Sequence, residues 1–220
     1  MPNKTETDPL PNHLSKFEEL ADYKRQVAAI YATLRRPDLT LEEKCHHFRQ
    51  GRDQLFATHP QSALTTEQRQ TFTHLPYYPY DPAWRLVLPV DKNVSPDIIE
   101  ITLQHDGATR LQRFGKVHFE MSGQAISLSL FWILGYGGGI FLPFRDLTNK
   151  QETYGGGRYL LDTIKHADLG YEQDRIVLDF NFAYNPSCAY NSAWFCPLAP
   201  AENQLPIAVP VGEKQYPNPT

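Results

Sequence analysis

The chain is short of cysteine and methionine and carries no net positive charge, and each shortage narrows what it can be. Three cysteines in 220 residues is an odd number, so a disulfide framework is not expected and a reducing cytoplasm is the expected location. A single Cys188–Cys196 bridge stays open. A formal net charge of −4 supplies no electrostatic drive towards nucleic acid or a membrane surface, and neither is expected as a partner. No run approaches the ~18 consecutive apolar residues of a membrane span, and Met1–Asp8 lack the apolar core of a secretion signal. Structural zinc needs four ligands at close spacing; Cys188 and Cys196 are separated by seven intervening residues with no second pair, so no metal and no cofactor are expected.

What is abundant is aromatic. Twelve Tyr and twelve Phe supply large apolar area, and the 41% hydrophobic content in this length suffices for one full core. Eighteen prolines impose many corners, which suits short strands better than a helical bundle. The expected organisation is a flexible lead over 1–13, one globular domain over 14–214 and a tail over 215–220. Within the domain, a helical segment over 14–74 precedes a β region over 84–211.

From about Ser15 the apolar positions Phe17, Leu20, Val27, Tyr31 and Leu34 recur at helical spacing, and Arg35-Arg36-Pro37 ends the run. Thr40-Leu-Glu-Glu43 is a capping-box pattern opening a second helix, with Leu41, Cys45, Phe48 and Leu55 on one face. Cys45 reads as a small core residue, and the consecutive His46 and His47 as surface. A short third helix is expected over Thr65–Phe72, then a rigid Tyr/Pro connector over Leu75–Pro82. From Trp84 the period becomes two: Trp84–Val90, Ile99–Leu103, Thr109–Met121 and Gln124–Ile133 alternate as strands, with a turn at His105-Asp106-Gly107 and a bulge at Gly115. Ile140–Asp146, Arg158–Asp162, Arg175–Phe180 and Leu205–Val211 complete the strand set. The expected fold is α+β and mainly antiparallel β, a sandwich or open barrel in one sheet system. Two to three N-terminal helices pack on it through Phe17, Val27, Tyr31, Phe48 and Leu55.

The chain is organised around Asp179–Asn203, where aromatics alternate with the amides Asn181, Asn185, Asn191 and Asn203. Buried amides need every hydrogen bond met, so this composition suits a fixed loop. Together with Tyr154-Gly-Gly-Gly-Arg158-Tyr-Leu, Phe144-Arg-Asp-x-Thr-Asn149, Cys196-Pro-Leu-x-Pro-x-Glu-Asn203, Gly212-Glu-Lys214 and the Arg52-Asp53 to Pro79 region, the stretch resembles the bacterial domain-of-unknown-function family numbered 1684. The resemblance spans roughly residues 45–214. Lys150 stands where that family usually turns on glycine, and the first helix reads as an extension. The resemblance implies a single domain and brings no activity, cofactor or catalytic residue with it.

Chemistry has few handholds. Cys188 as a nucleophile needs a base or a positive field, and Asp179–Asn203 holds no Lys, Arg or His; His118 and His166 are the available imidazoles. The simpler role is a buried thiol, Cys196 included. Gly155-Gly-Gly-Arg158 could cradle an anion; its simpler role is a bend with Arg158 paired to Asp146 or Asp179. The expected function is a cytoplasmic small-molecule-binding domain whose pocket is made by the aromatic-amide loop and the Gly-Arg turn, with Arg158, Tyr159, Asp179, Asn181, Tyr184, Asn185, Cys188 and Tyr190 as ligand-binding residues. The alternatives are a hydrolase-like enzyme using Cys188 or the Asp/Arg cluster, and a structural or partner-binding module without a ligand.

Overall fold

The computed structural model of the chain describes residues 15–103 and 107–217. The expected lead, His105 and Asp106 of the expected turn, and residues 218–220 of the expected tail lie outside the described residues.

Three helices come first, and each opens on a capping box. α1 (Lys16–Leu34) starts on Ser15 with Glu18, α2 (Leu41–Thr58) on Thr40 with Glu43, and α3 (Thr66–Thr71) on Thr65 with Gln68. The cap hydroxyl accepts the N–H three residues on, and the Glu or Gln side chain accepts the cap's own N–H. Two donors that the helix cannot satisfy itself are thus met at each start. The first two turns of α1 contribute no buried residue, and Phe17 is 86% exposed, so the expected contact of Phe17 with the sheet does not form. The packed part of α1 lies near its C-terminal end, at Tyr31 and Leu34.

Among the described residues the strands form two antiparallel sheets rather than the single system expected. β2 (Ile98–Leu103), β3 (Gly107–Met121), β4 (Gln124–Ile133), β5 (Gly139–Phe144) and β6 (Arg158–Asp162) make a meander in chain order. β1 (Arg85–Leu88) pairs instead with β8 (Arg175–Asp179), whose other edge takes the two-residue β7 (Tyr171–Glu172). Pro89 follows β1 directly and has no N–H to continue a ladder, so the chain leaves this sheet before β2 begins. The bulge falls at Gly115, where the β3–β4 register shifts. A Cβ there would stand 2.5 Å from Val90 Cγ1, so glycine lets this segment lie against β3.

The fold is α+β and mostly sheet, and no barrel closes among the described residues. Between the two sheets, Trp84, Leu178 and Phe180 meet Val117, Leu128, Leu142 and Phe144. Alternate residues of the meander point the other way. There Leu111, Phe131, Phe141 and Tyr159 meet Tyr31, Leu34 and Phe48 of the helices.

Leu205–Val211 is extended but is not a strand. Its odd positions, Leu205, Ile207, Val209 and Val211, are buried and its even positions exposed, as alternation demands. Pro206 and Pro210 remove two donors, and backbone pairing is confined to the residues after β5: Leu205 N–H donates to Arg145 O at 2.8 Å and Leu147 N–H to Ile207 O at 3.0 Å. Further along, its carbonyls find a side chain. Arg158 Nη2 donates to Val209 O at 2.9 Å, and Arg158 Nη1 donates to the carbonyls of Val211 and Glu213.

Candidate functional site

The amides of Asp179–Asn203 act as braces. Asn181 exchanges two hydrogen bonds with the Asp81 backbone, at 2.9 and 2.8 Å, which pins the Tyr/Pro connector to the end of β8. Asn203 likewise exchanges bonds with Ser129 and adds one to Pro143 O at 2.8 Å. Asn185 Nδ2 holds Lys214 O at 2.7 Å. With its amides committed in this way, the loop holds one shape and presents its aromatic rings in fixed positions.

Those rings border a cavity of about 300 Å³ between α1, α2 and the loop, with Val27, Tyr31, Arg52, Tyr184, Tyr190 and Trp194 among its lining residues. Beneath it lies a buried ion pair. Arg52 Nη2 reaches Glu213 Oε2 at 2.8 Å, and the Glu213 side chain is fully out of solvent. Tyr190 Oη donates to the other carboxylate oxygen, the Asn185 N–H donates to Oε2 at 3.1 Å, and Arg52 Nε donates to Tyr77 Oη at 3.1 Å. The guanidinium also lies 5.0 Å from the Tyr184 ring and 5.1 Å from that of Phe56. Burial pushes the Glu213 carboxyl above its ordinary range, with the Arg52 charge opposing.

Of the eight residues expected to bind a ligand, Tyr184, Asn185 and Tyr190 line this cavity. Tyr159 stands behind Tyr184, rings 5.8 Å apart, with its hydroxyl given to Pro197 O at 2.6 Å. Asn181 is spent on Asp81, and Asp179 borders a separate cavity of about 150 Å³ beside Lys44 and Arg85. The Gly-Arg turn is not part of the pocket, contrary to expectation. Arg158 is fully buried, paired to Asp146 at 2.9 Å and committed to the C-terminal carbonyls. The physical reason is the proline-interrupted segment 205–211, whose carbonyls need a buried donor fork and find one there.

Cys45, Cys188 and Cys196 are free thiols, and Tyr154 Oη lies 3.5 Å from Cys188 Sγ. The two thiols influence each other most: Cys188 is the main cause holding the Cys196 thiol down at about 6, and Cys196 the main cause raising Cys188. Lys165 adds to the lowering of Cys196, and Cys196 lines the cavity. A count of cations within 179–203 could not find Lys165, which follows β6. His118 faces Asp91 at 3.5 Å rather than either sulfur. Among the described residues no group of three or more His, Cys, Asp or Glu could hold a metal ion, and no helix is long and apolar enough to cross a membrane.

Arg52 and Glu213 were the residues that sequence reasoning left without a role. Both sit in motifs that stand out in the chain, Arg52-Asp53 and Gly212-Glu-Lys214. Nothing local says that positions 161 residues apart form one pair.

Fold and site together define an α+β protein of mostly antiparallel sheet, with an aromatic cavity closed by N-terminal helices over a buried Arg–Glu pair. The chain belongs to the family described as "Protein of unknown function (DUF1684)", whose model matches residues 70–214. The matched span contains Glu213 and the aromatic-amide loop, whereas Arg52 and α1 precede it. The chain is also similar to an uncharacterized protein of Haloarcula marismortui known from a solution NMR structure. The two are 34% identical with a TM-score of 0.57, and the match covers 79% of this chain and 93% of that one. A comparison with curated proteins found no match.

Proposed function

We propose that this protein binds a small molecule in the cavity between α1, α2 and the 184–196 loop, with Tyr184, Asn185 and Tyr190 among the binding residues. One observation carries the reading. The cavity is a concave, mainly apolar space of about 300 Å³ on which a few polar and cationic side chains converge, Arg52, Asn185 and Lys165 among them, and that is the usual form of a small-molecule site.

Lining chemistry narrows the ligand. Lys24, Arg52 and Lys165 line the cavity and, among the described residues, no Asp or Glu does so, in a chain whose net charge is −4. Aromatic and aliphatic residues make up most of the rest. A small, flat, partly apolar molecule with an anionic end fits that lining, and aromatic carboxylates represent the class. The free cysteines support a reducing, cytoplasmic setting.

The test is a mass spectrum of the purified protein under native conditions, paired with thermal shift against benzoate, phenylacetate and related acids. A carried mass, or a rise in Tm that Lys24→Gln and Trp194→Ala weaken, is the expected result. No carried mass and no shift with any acid of the panel would overturn the reading in favour of a purely structural loop.

A further inference from the structure

Asp179 ends β8 and caps the turn that follows, and that task uses one of its two carboxylate oxygens. Oδ1 accepts the Asn181 backbone N–H at 3.0 Å and the Asn181 side-chain amide at 2.8 Å. Oδ2 accepts no hydrogen bond from the described residues, although Asp179 is only 1% exposed. Arg85 stands directly opposite in the β1–β8 ladder, but its guanidinium donates to Glu172 instead. Among the described residues Asp179 therefore has no ion-pair partner. A carboxylate taken out of water without one is costly, and burial does push this carboxyl up, against the Asn181 bonds and the charges of Arg85 and Lys44.

Asp179 lines the cavity of about 150 Å³ between the start of α2, the end of α1 and the second sheet, and Lys44 lines it too. Lys44 likewise forms no ion pair among the described residues, and none joins it to Asp179. One small cavity thus carries two opposite charges that no protein group answers. Leu34, Leu41, Leu169 and Phe182 supply an apolar wall. At about 30 Å³ per water the space equals about five water molecules, which suits a ligand of few heavy atoms. A simple anion would answer Lys44 and leave Asp179 unpaired; a simple amine would do the reverse. We propose that this cavity is a second site, separate from the aromatic one, and that it binds a small apolar α-amino acid as the zwitterion. The ammonium group donates to Asp179 Oδ2, the carboxylate lies against Lys44, and the short alkyl group rests on the leucines. Each buried charge then gains a charge-assisted partner without a proton having to move.

The test is isothermal titration calorimetry of the full chain with glycine, L-alanine and L-valine, using ethylamine and propionate as ligands that carry one charge each. Saturable binding of at least one amino acid is expected, with ethylamine and propionate weaker by at least about tenfold, as for loss of one charge-assisted bond. Lys44→Gln, at a partly exposed helix position, should weaken the amino acid by at least about tenfold for the same reason. Asp179→Asn keeps the Oδ1 acceptor for Asn181 and should weaken it similarly; should that variant not fold, Lys44→Gln still decides. A titration repeated with benzoate present should be unchanged, because benzoate belongs to the aromatic cavity. No saturable binding by any of the three amino acids overturns the proposal. So does equal binding of ethylamine or propionate, an unchanged affinity in Lys44→Gln, or competition by benzoate. The outcome does not depend on whether the aromatic cavity binds anything, so this test and that of the binding reading fail separately.

Discussion

Arg52 Nη2 stands 2.8 Å from Glu213 Oε2, and this contact joins the middle of α2 to the last corner of the chain beneath the aromatic cavity. Two tyrosine hydroxyls and the Asn185 N–H complete the shell. The pair therefore holds the helices, the loop and the C-terminal segment in one arrangement. Whatever occupies the cavity rests on a base that this contact sets.

Breaking the pair from either side should be costly. Arg52→Met leaves Glu213 charged or forced to take a proton in the interior, and Glu213→Gln leaves the guanidinium without its counter-charge. Each is expected to cost about 3–5 kcal/mol in urea unfolding, as for buried ion pairs elsewhere. The double variant should cost clearly less than the sum of the two. Additive losses would mean that the two groups do not interact.

Arg158 should matter for folding rather than for binding. Arg158→Met strands the Asp146 carboxylate and leaves three buried carbonyls short of a donor, at an expected cost of about 3–5 kcal/mol. Arg110→Met, on the exposed part of β3, should stay within about 0.5 kcal/mol. Equal shifts in Tm for the two variants would contradict this account of the C-terminal segment.

The helices offer a matched contrast between two apolar residues of similar appearance in the sequence. Leu55 is buried against Phe56, Leu75 and Tyr190, so Leu55→Ala should cost about 2–5 kcal/mol. Phe17, 86% exposed, should lose less than about 0.5 kcal/mol as Phe17→Ala. Chemical denaturation of both variants checks this, and a large loss for Phe17→Ala would mean that α1 packs over its whole length.

Acid should release the Glu202 clamp. Burial tends to raise its carboxyl, but the Arg113 fork, at 2.7 and 2.8 Å, and the Ser129 hydroxyl outweigh that and hold it below the ordinary value of 4.5. A carboxyl whose folded pKa is depressed contributes its full stability above the unfolded value. It loses that contribution as pH falls from there to the folded value. The gap in stability between wild type and Glu202→Gln should thus be widest at neutral pH and shrink on acidification below about 4.5. A gap that is constant with pH would show that the glutamate acts by shape alone.

Local chemistry determined much of this protein. The capping box at Thr40 is read from its spacing to Glu43 and starts α2 where that spacing falls; the structure adds the same device at Ser15 and Thr65. Lys150 adopts φ 68 at a position where the family resemblance implies glycine, so that turn too was legible. In 205–211 the burial of Leu205, Ile207, Val209 and Val211 follows the apolar alternation of the sequence. Alternation does not decide how far the segment pairs with a neighbour, and here two backbone bonds to Arg145 and Leu147 are made rather than the strand expected. The split into two sheets, the commitment of Arg158 to the C-terminal carbonyls, and the meeting of Arg52 with Glu213 belong to the tertiary structure alone. So does the cation beside Cys196. Each of these joins residues far apart in the chain, and their partners follow from how sheets and helices stack, which no spacing along the sequence encodes.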